Sequence, residues 1–280
     1  MTPLQPGLHY GIPAKVYHAD PAPEPSLSST IARILLNDSP AHAFCAHSKL
    51  GGASKEQTDA MGLGSLVHSL MDDNAEKDYE VGDFDNYKTG AARDWRDMII
   101  AHGKSPVLTR DLVGAKPIAE ALRNKLPSTG HKSEVTAIWK EGDAYCRARY
   151  DRLLIDGFTG RVTDWKTCAD VTDRGIIKSI VKYGYHIQVA FYLRGLKKCA
   201  DLVDTEFTLV FVETKAPYAV RRVQLTDTFM AEGNRQVDKA IEMWQQCMKT
   251  NTWIDPRQSE TFIAEIPLWM EDQDVEISGS

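Results

Sequence analysis

Apolar residues spaced three and four apart predict helices in the first half of the chain. Ile31, Ile34 and Leu35 share one helical face directly after the hydroxyl-rich run Ser26 to Ser29. The run Asn37 to Pro40 supplies a stop and a new start, so a pair of short helices is expected there. Similar spacing predicts three further helices: Ala60 to Met71, Ala91 to Ala101 and Asp111 to Lys125.

Three stretches lack this periodicity. The first 26 residues are rich in Pro and Gly, with prolines at positions 21, 23 and 25, which predicts an extended lead-in without helix. Residues 72–88 are acidic and are expected to be irregular. Residues 271–280 carry four acids and no base, which is typical of a frayed or partner-dependent tail.

Strict alternation of apolar and polar residues predicts strands in the second half. Three successive strands are expected between Glu134 and Lys166, with turns at residues 141–143 and 156–157. The remaining elements are helices Asp173 to Lys182 and Tyr185 to Lys198, separated at Gly184, strands Glu206 to Glu213 and Tyr218 to Leu225, and helix Thr226 to Lys249. This order predicts an α/β (α+β) fold with a mixed central sheet flanked by helices.

Length and composition are consistent with one structural domain. In the 280 residues, 42% of positions are hydrophobic, which is enough for a large core. We expect residues 1–130 to form an extended and helical N-terminal part, residues 131–270 the core, and residues 271–280 the tail. No run of eighteen apolar residues and no signal-peptide pattern occurs, so a cytoplasmic protein without a membrane segment is expected.

Charge is segregated along the chain. The net charge is −6, but residues 132–200 contain thirteen basic and eight acidic residues, so the rest of the chain is strongly acidic. A basic core suits a phosphate-rich ligand, although a solvated basic surface is an equally simple explanation. The five cysteines are far apart and include no C-x-x-C pair, so neither a disulfide framework nor an iron–sulfur cluster is expected.

The segment from Cys146 to Thr167 carries the most informative polar residues. Asp151 and Asp164 lie on successive predicted strands, and antiparallel pairing brings both carboxylates to the same place in the sheet. Lys166 follows Asp164 by two residues, so both side chains point to one face. Carboxylates bind hard divalent cations, and a neighbouring lysine can orient or deprotonate water. A D-x-K pair alone is more often a surface ion pair, and only its combination with Asp151 and the following basic helix favours chemistry.

This arrangement resembles the PD-(D/E)XK nuclease superfamily, with its restriction-endonuclease-like core. Further motifs are similar to its RecE and lambda-exonuclease branch, which includes RecB-type nuclease domains. They are the G-x-x-x-H run Gly64 to His68, the Q-x-x-x-Y run Gln188 to Tyr192, and the segments Leu27 to Ile31 and Asp38 to Ala41. The resemblance spans most of the chain.

The resemblance implies roles for these residues. His68, Asp151, Asp164 and the backbone carbonyl of Trp165 would bind metal, and Lys166 would be the catalytic lysine. Three further residues are implied as catalytic: Glu134, Gln188 and Tyr192. Glu134 matches an acidic position that supports a second metal in some relatives. Gln188 and Tyr192 would touch DNA or the lysine. The alternatives are a cross-strand ion pair for Glu134, helix packing for Gln188 and Tyr192, and a satisfied core histidine at position 68.

DNA contacts are expected on two surfaces. The resemblance implies a 5′-phosphate pocket with the hydroxyls of Ser28 and Thr30, although Ser28 also fits a simple helix cap. Alternation along the strand places Arg147 and Arg149 on the same face as Asp151, pointing toward phosphate. The following helices would contact the DNA backbone through bases that include Arg174, Lys178 and Lys182.

The resulting hypothesis is a bacterial or phage-encoded exonuclease that uses Mg²⁺, for which Mn²⁺ substitutes. It would degrade double-stranded DNA from 5′ ends and leave 3′ single strands for recombination. The resemblance also implies a ring of three or four identical subunits and a single-strand-annealing protein as partner. The alternatives are a structure-specific or single-strand nuclease on the same fold and a DNA-binding scaffold without activity.

Overall fold

A mixed sheet organises the fold in the computed structural model, which describes residues 2–52, 62–72, 79–126, 130–255, 257 and 261–266. Within these residues the sheet contains seven strands: β1 (Gly7–His9), β2 (Ser26–Ser28), β5 (Lys132–Glu141), β6 (Ala144–Asp156), β7 (Thr159–Cys168), β8 (Asp204–Glu213) and β9 (Val220–Val223). Two further strands, β3 (Tyr79–Gly82) and β4 (Ser105–Leu108), pair in parallel as a separate small sheet.

The described residues form nine helices, and several of them begin or end at a capping residue. They are α1 (Ala14–His18), α2 (Ser29–Asn37), α3 (Pro40–Ala46), α4 (Leu63–Met71), α5 (Gly90–Ala101), α6 (Thr109–Arg123), α7 (Asp173–Tyr183), α8 (Tyr185–Cys199) and α9 (Asp227–Thr250). The side chains of Ser28, Thr172 and Thr226 accept hydrogen bonds from the first turns of α2, α7 and α9. Gly184, with φ +66°, ends α7 in the left-handed region and so separates it from α8.

Strand order confirms the predicted mixed sheet. The order is β1-β5-β6-β7-β8-β9, in which β5, β6 and β7 form an antiparallel meander. Strand β8 runs parallel to β7, and α7 and α8 form the crossover between them. Helices α2, α8 and α9 cover one face of the sheet over a core that includes Trp139 and Phe191, and α4 and α6 cover the other over Trp165 and Val210.

A gap along β6 positions the polar residues of the fold. Strand β5 occupies one edge of β6, so β7 and β2 must share the other edge. The pairing with β7 ends at Arg152 and Thr163, and the parallel pairing with β2 covers only Tyr145 to Arg147. Asp151 and Asp164 lie next to this last pair, Asp151 just before Arg152 and Asp164 just after Thr163, at the point where β6 and β7 separate.

The structure corrects two expectations about the N-terminal half. The lead-in is not free of regular structure, because β1 pairs with β5 and a short helix, α1, buries Tyr17. Residues 72–88 are not wholly irregular, because they include β3, which pairs with β4. Both are tertiary effects that local spacing does not reveal. The predicted helix start at Ala60 and the acidic tail lie outside the described residues.

Candidate active site

Three carboxylates lie side by side across neighbouring strands. Glu134 on β5 faces Asp151 on β6, as the paired residues on either side of them show. The same register places Asp164 on β7 opposite Asp151, one step beyond the last pair of that ladder. Glu134 has φ +54°, in the left-handed region that disfavours non-glycine residues. Strain of this kind persists only where surrounding contacts impose it, and it concentrates at functional sites.

Helix α4 brings a histidine to these carboxylates. A Cβ at Gly64 would lie only 3.3 Å from Thr167 Oγ1, so the glycine allows α4 to approach β7 closely. One turn later, His68 Nδ1 lies 3.5 Å from Asp151 Oδ1, and its ring packs 5.3 Å from the ring of Trp165. Donor atoms of three residues, His68, Glu134 and Asp151, lie within 4.8 Å of one another. Oxygen and imidazole donors at this spacing fit a divalent metal ion.

Asp164 is held apart from this group by other partners. Its Oδ2 accepts a hydrogen bond from Lys166 Nζ at 2.8 Å, and its Oδ1 accepts one from Gln188 Nε2 at 2.8 Å. Lys166 Nζ also lies 5.0 Å from the ring centre of Tyr185. The side chain of Asp164 still contacts that of Asp151. The lysine is therefore held beside the carboxylates by two contacts, one from β7 and one from α8, and Gln188 orients Asp164.

Electrostatics favour a cation at this position. Burial raises the pKa of Asp151 well above its usual value, and the charge of Asp164 raises it further. Burial also raises the pKa of Glu134, although Arg149 opposes the shift. Burial alone would lower the pKa of Lys166, but Asp164 and Asp151 outweigh it and hold the ammonium protonated. A divalent ion would relieve the repulsion among these carboxylates.

Comparison with known proteins identifies the family. A family model described as "PDDEXK-like domain of unknown function (DUF3799)" matches residues 28–262, which is most of the chain. The chain belongs to this PDDEXK-like family. No curated protein matches the sequence.

One solved structure shares the overall fold of the chain. The chain is similar to a crystal structure described as a "Putative exonuclease" from Eubacterium rectale, with a TM-score of 0.58 and 15% identity, over 96% of this chain and 100% of the other. At that identity the likeness concerns the fold alone. A second crystal structure, of SSO0001, has a TM-score of 0.30 and 12% identity, over 64% of this chain and 82% of the other, which is too low to support an argument.

Among the described residues of the PDDEXK-like chain, no helix is long and apolar enough to cross a membrane.

The structure brings together two of the predicted ligands of the PDDEXK-like centre. His68 and Asp151 meet as expected, and Glu134 completes the group of three. Asp164 lies beside this group and accepts hydrogen bonds from Lys166 and Gln188, and its metal binding stays a prediction. The Trp165 backbone lies at the centre, where its N–H donates to Asp151 Oδ2 at 3.1 Å. Metal binding by its carbonyl stays a prediction.

The Q-x-x-x-Y motif has a different geometry from the one expected. Gln188 contacts Asp164, not the lysine. Tyr192 lies buried behind Gln188, where its ring packs edge-to-face on Tyr150 at 5.4 Å, and burial raises its pKa well above the usual value. Contact of Tyr192 with DNA or Lys166 stays a prediction. The aromatic ring on the lysine belongs to Tyr185, which lies one turn before Gln188 on the same helix face, a spacing that the sequence already shows.

The two arginines of β6 that were expected to contact phosphate also have specific partners. Arg147 is buried and bonds to Ser26 and to Asp20 Oδ2 at 3.1 Å, so its predicted contact with phosphate is wrong for this structure. Arg149 donates from Nε to Glu134 Oε2, which is the cross-strand pair considered above. That pair adjoins the metal-binding group, so it does not remove Glu134 from the centre.

The other predicted DNA contacts lie outside the centre. Ser28 is buried and its hydroxyl caps α2 by accepting from Ile31 N at 3.3 Å, whereas Thr30 is exposed. Ser28 pairs with Arg147, four residues before Asp151 and hence about 13 Å away along the strand. Three exposed bases share one face of α7, at positions Arg174, Lys178 and Lys182. Their contact with DNA stays a prediction.

His68 is expected to remain neutral over most of the pH range. Burial lowers its pKa to about 4, and the charge of Lys166 contributes. Its lone pair is then available to a metal ion well below pH 6. Because the unfolded chain binds this proton more readily, His68 should reduce the free energy of unfolding as pH falls from about 6.5 towards 4.

Ring NMR signals of His68 in the metal-free protein should titrate near pH 4. A His68→Gln variant identifies the resonance. A midpoint above about pH 6, close to the value for free histidine, would contradict the lowered pKa of this partly buried ring.

Proposed function

We propose that this chain is a metal-dependent nuclease that hydrolyses phosphodiester bonds in DNA. The observation that supports it most directly is the convergence of His68, Glu134 and Asp151 within 4.8 Å beside the Lys166–Asp164 pair, in a PDDEXK-like fold. Mg²⁺ is the proposed ion, with Mn²⁺ as a substitute, because two carboxylates supply hard oxygen donors and one neutral imidazole suits Mn²⁺ as well. When bound, such an ion lowers the pKa of water and neutralises charge on phosphate.

The residues around that ion have separate tasks in the proposed mechanism. His68, Glu134 and Asp151 bind it. Lys166, protonated and oriented by Asp164, would donate a hydrogen bond to the phosphate and give a proton to the departing oxygen, and it would regain a proton from solvent, which takes up the proton of the attacking water. Gln188 fixes Asp164 in turn through its amide, so the lysine has one orientation rather than several.

A finer proposal concerns the substrate. We propose a 5′-to-3′ exonuclease on double-stranded DNA that leaves 3′ single strands for recombination, acting in a bacterial or phage-infected cytoplasm. The support is the motif resemblance, the position of the α2 N-terminus beside the gap along β6, and the exposed bases of α7. A ring of three or four subunits and a single-strand-annealing partner belong to the same proposal and rest on the resemblance alone.

Digestion of an end-labelled duplex tests both the nuclease proposal and the finer proposal about the substrate. Linear DNA labelled at either the 5′ or the 3′ end, with and without 5′ phosphate, is incubated in Mg²⁺, in Mn²⁺ and in EDTA. We expect release of the 5′ label as mononucleotides in either metal, retention of the 3′ label on long single strands, and no release in EDTA.

Each departure from that result has a distinct meaning. Equal release from both ends, or faster digestion of single strands, would contradict the 5′ duplex assignment but not nuclease activity. Independence from 5′ phosphate would agree with Ser28 serving only as a helix cap. No product from any DNA in either metal would contradict the nuclease proposal, and a monomeric mass by light scattering would contradict the ring.

A further inference from the structure

Arg149 lies at the edge of the metal-binding group without being one of its ligands. It precedes Asp151 by two residues on β6, so both side chains project from the same face. Its side chain is only 13% exposed, and its Nε donates to Glu134 Oε2. This places a permanent positive charge next to carboxylates that face a DNA backbone in the proposed function.

The guanidinium has a donor that the protein does not use. Arg149 Nη1 is buried and, in the part of the chain that the structure describes, has no hydrogen-bond partner. A guanidinium presents five N–H donors in a rigid fork, and a buried donor without a partner is unfavourable. An ion pair whose only role was to neutralise Glu134 would not require this geometry. The unused donor is available to an anion that enters the centre.

The ring of Tyr17 packs against this guanidinium. The Tyr17 ring is buried, and its centre lies 5.7 Å from Cζ of Arg149 and 5.8 Å from Cζ of Arg147. Arg147 is paired in turn with Asp20, whose side chain is fully buried. Arg149 is therefore held at Nε by Glu134 and packed by Tyr17, while its Nη1 has no partner among the described residues.

We propose that Arg149 is a catalytic residue that donates to a non-bridging oxygen of the scissile phosphate, and that Tyr17 is its positioning residue. This inference rests on the proposed nuclease function. A planar fork matches two phosphate oxygens, and the negative charge on those oxygens is redistributed as water attacks. The rigid hold on Arg149 means that no side-chain ordering is needed when DNA binds.

Arg149→Gln separates this role from simple neutralisation of Glu134. We expect kcat on duplex DNA at saturating Mn²⁺ to fall by about 10²- to 10³-fold. The affinity for Mn²⁺ without DNA, measured by calorimetry, should stay equal or become tighter, because a neighbouring cation is removed while every ligand remains. Arg161→Gln, an exposed arginine paired with Glu206 on the surface, is the matched control and should leave both values unchanged.

Two results would overturn the role of Arg149. One is a kcat within about threefold of the wild type, and the other is weaker Mn²⁺ binding with recovery of kcat at high Mn²⁺, which would make Arg149 a support for Glu134 only. If the wild type itself cuts no DNA, the nuclease proposal fails as well. If the wild type cuts and Arg149→Gln cuts equally, only the present inference fails.

Tyr17 variants test positioning. Tyr17→Phe keeps the ring face and should retain kcat, whereas Tyr17→Leu should lower kcat by about tenfold with KM and Mn²⁺ affinity unchanged. Tyr10→Leu, at an exposed tyrosine, is the control. Equal loss in Tyr17→Phe and Tyr17→Leu would overturn the role of the ring, and this comparison remains informative if Tyr17→Leu lowers stability because the phenylalanine variant preserves the packing.

Discussion

Replacing Lys166 by alanine is expected to lower kcat by about 10³-fold. The ammonium donates to Asp164 at 2.8 Å, and α8 places Tyr185 beside the lysine and Gln188 on Asp164. Because Lys166 has no place among the three grouped metal-binding residues, Mn²⁺ binding should persist. Duplex affinity, measured by fluorescence anisotropy in Ca²⁺ to prevent cutting, should change by no more than about twofold.

The control for this experiment is Lys116→Ala, at an exposed lysine on α6, which should leave kcat and DNA affinity unchanged. Thermal unfolding of Lys166→Ala must also be measured, because Asp164 loses its ion-pair partner while keeping the hydrogen bond from Gln188. Undiminished cutting by a folded Lys166→Ala protein would remove the lysine from the mechanism.

Asp151→Asn is expected to abolish cutting while making the metal-free protein more stable. The asparagine Oδ1 can still accept the hydrogen bond from Trp165 N. The contact between β6 and β7 at the point where they separate is therefore preserved. The substitution removes the buried carboxylate of Asp151, whose pKa is raised by burial and by the charge of Asp164. We expect a loss of kcat of about 10³-fold, or about 4 kcal/mol of transition-state stabilisation.

The pH dependence of stability follows from the same shift. Folded protein binds the Asp151 proton more tightly than the unfolded chain does, so the free energy of unfolding falls as pH rises from the usual aspartate value towards the raised pKa. Above the raised pKa, the folded protein carries the full free-energy cost of the buried Asp151 charge. In EDTA at high pH, Asp151→Asn should therefore melt at a higher temperature than the wild type, by about 2–4 °C for each kcal/mol of penalty removed.

Bound Mn²⁺ should reverse this order of melting temperatures, so that the wild type melts at the higher temperature. Saturating Mn²⁺ at about one hundred times its dissociation constant stabilises the wild type by about 2.7 kcal/mol, whereas the variant, with a ligand missing, should respond much less. Asp156→Asn, in the exposed β6–β7 turn, is the control and should melt like the wild type in both conditions. A lower melting temperature of Asp151→Asn in EDTA would show that the carboxylate group is not under repulsion.

The sequence was most informative where chemistry and local pattern coincide. Alternation predicted β5, β6 and β7, and the two-residue spacing of Asp164 and Lys166 predicted that they meet, as the 2.8 Å contact confirms. The meeting of His68 with Asp151 followed only from the family resemblance, since nothing local relates two residues so distant in the chain.

Other features depended on contacts that no local pattern records. Arg147 alternates with Asp151 as expected, yet its guanidinium is occupied by Asp20, which lies more than a hundred residues earlier. Asp164 has the residue type and place of a ligand, but the side chain of Gln188 determines where its oxygens point. Strands β1 and β2 are three residues each, too short for a recognisable alternation, and form because β5 and β6 offer them free edges.

The shared edge of β6 makes the beginning of the chain part of the catalytic framework. Strand β2 covers part of the stretch of β6 that β7 leaves unpaired, so the opening beside Asp151 is bordered by segments that lie far apart in the sequence. Deleting residues up to Ser28 would leave backbone amides and carbonyls of β6 unpaired and available to another molecule. An expression clone trimmed to the alternating region would thus carry every acidic ligand and still present a sheet prone to self-association.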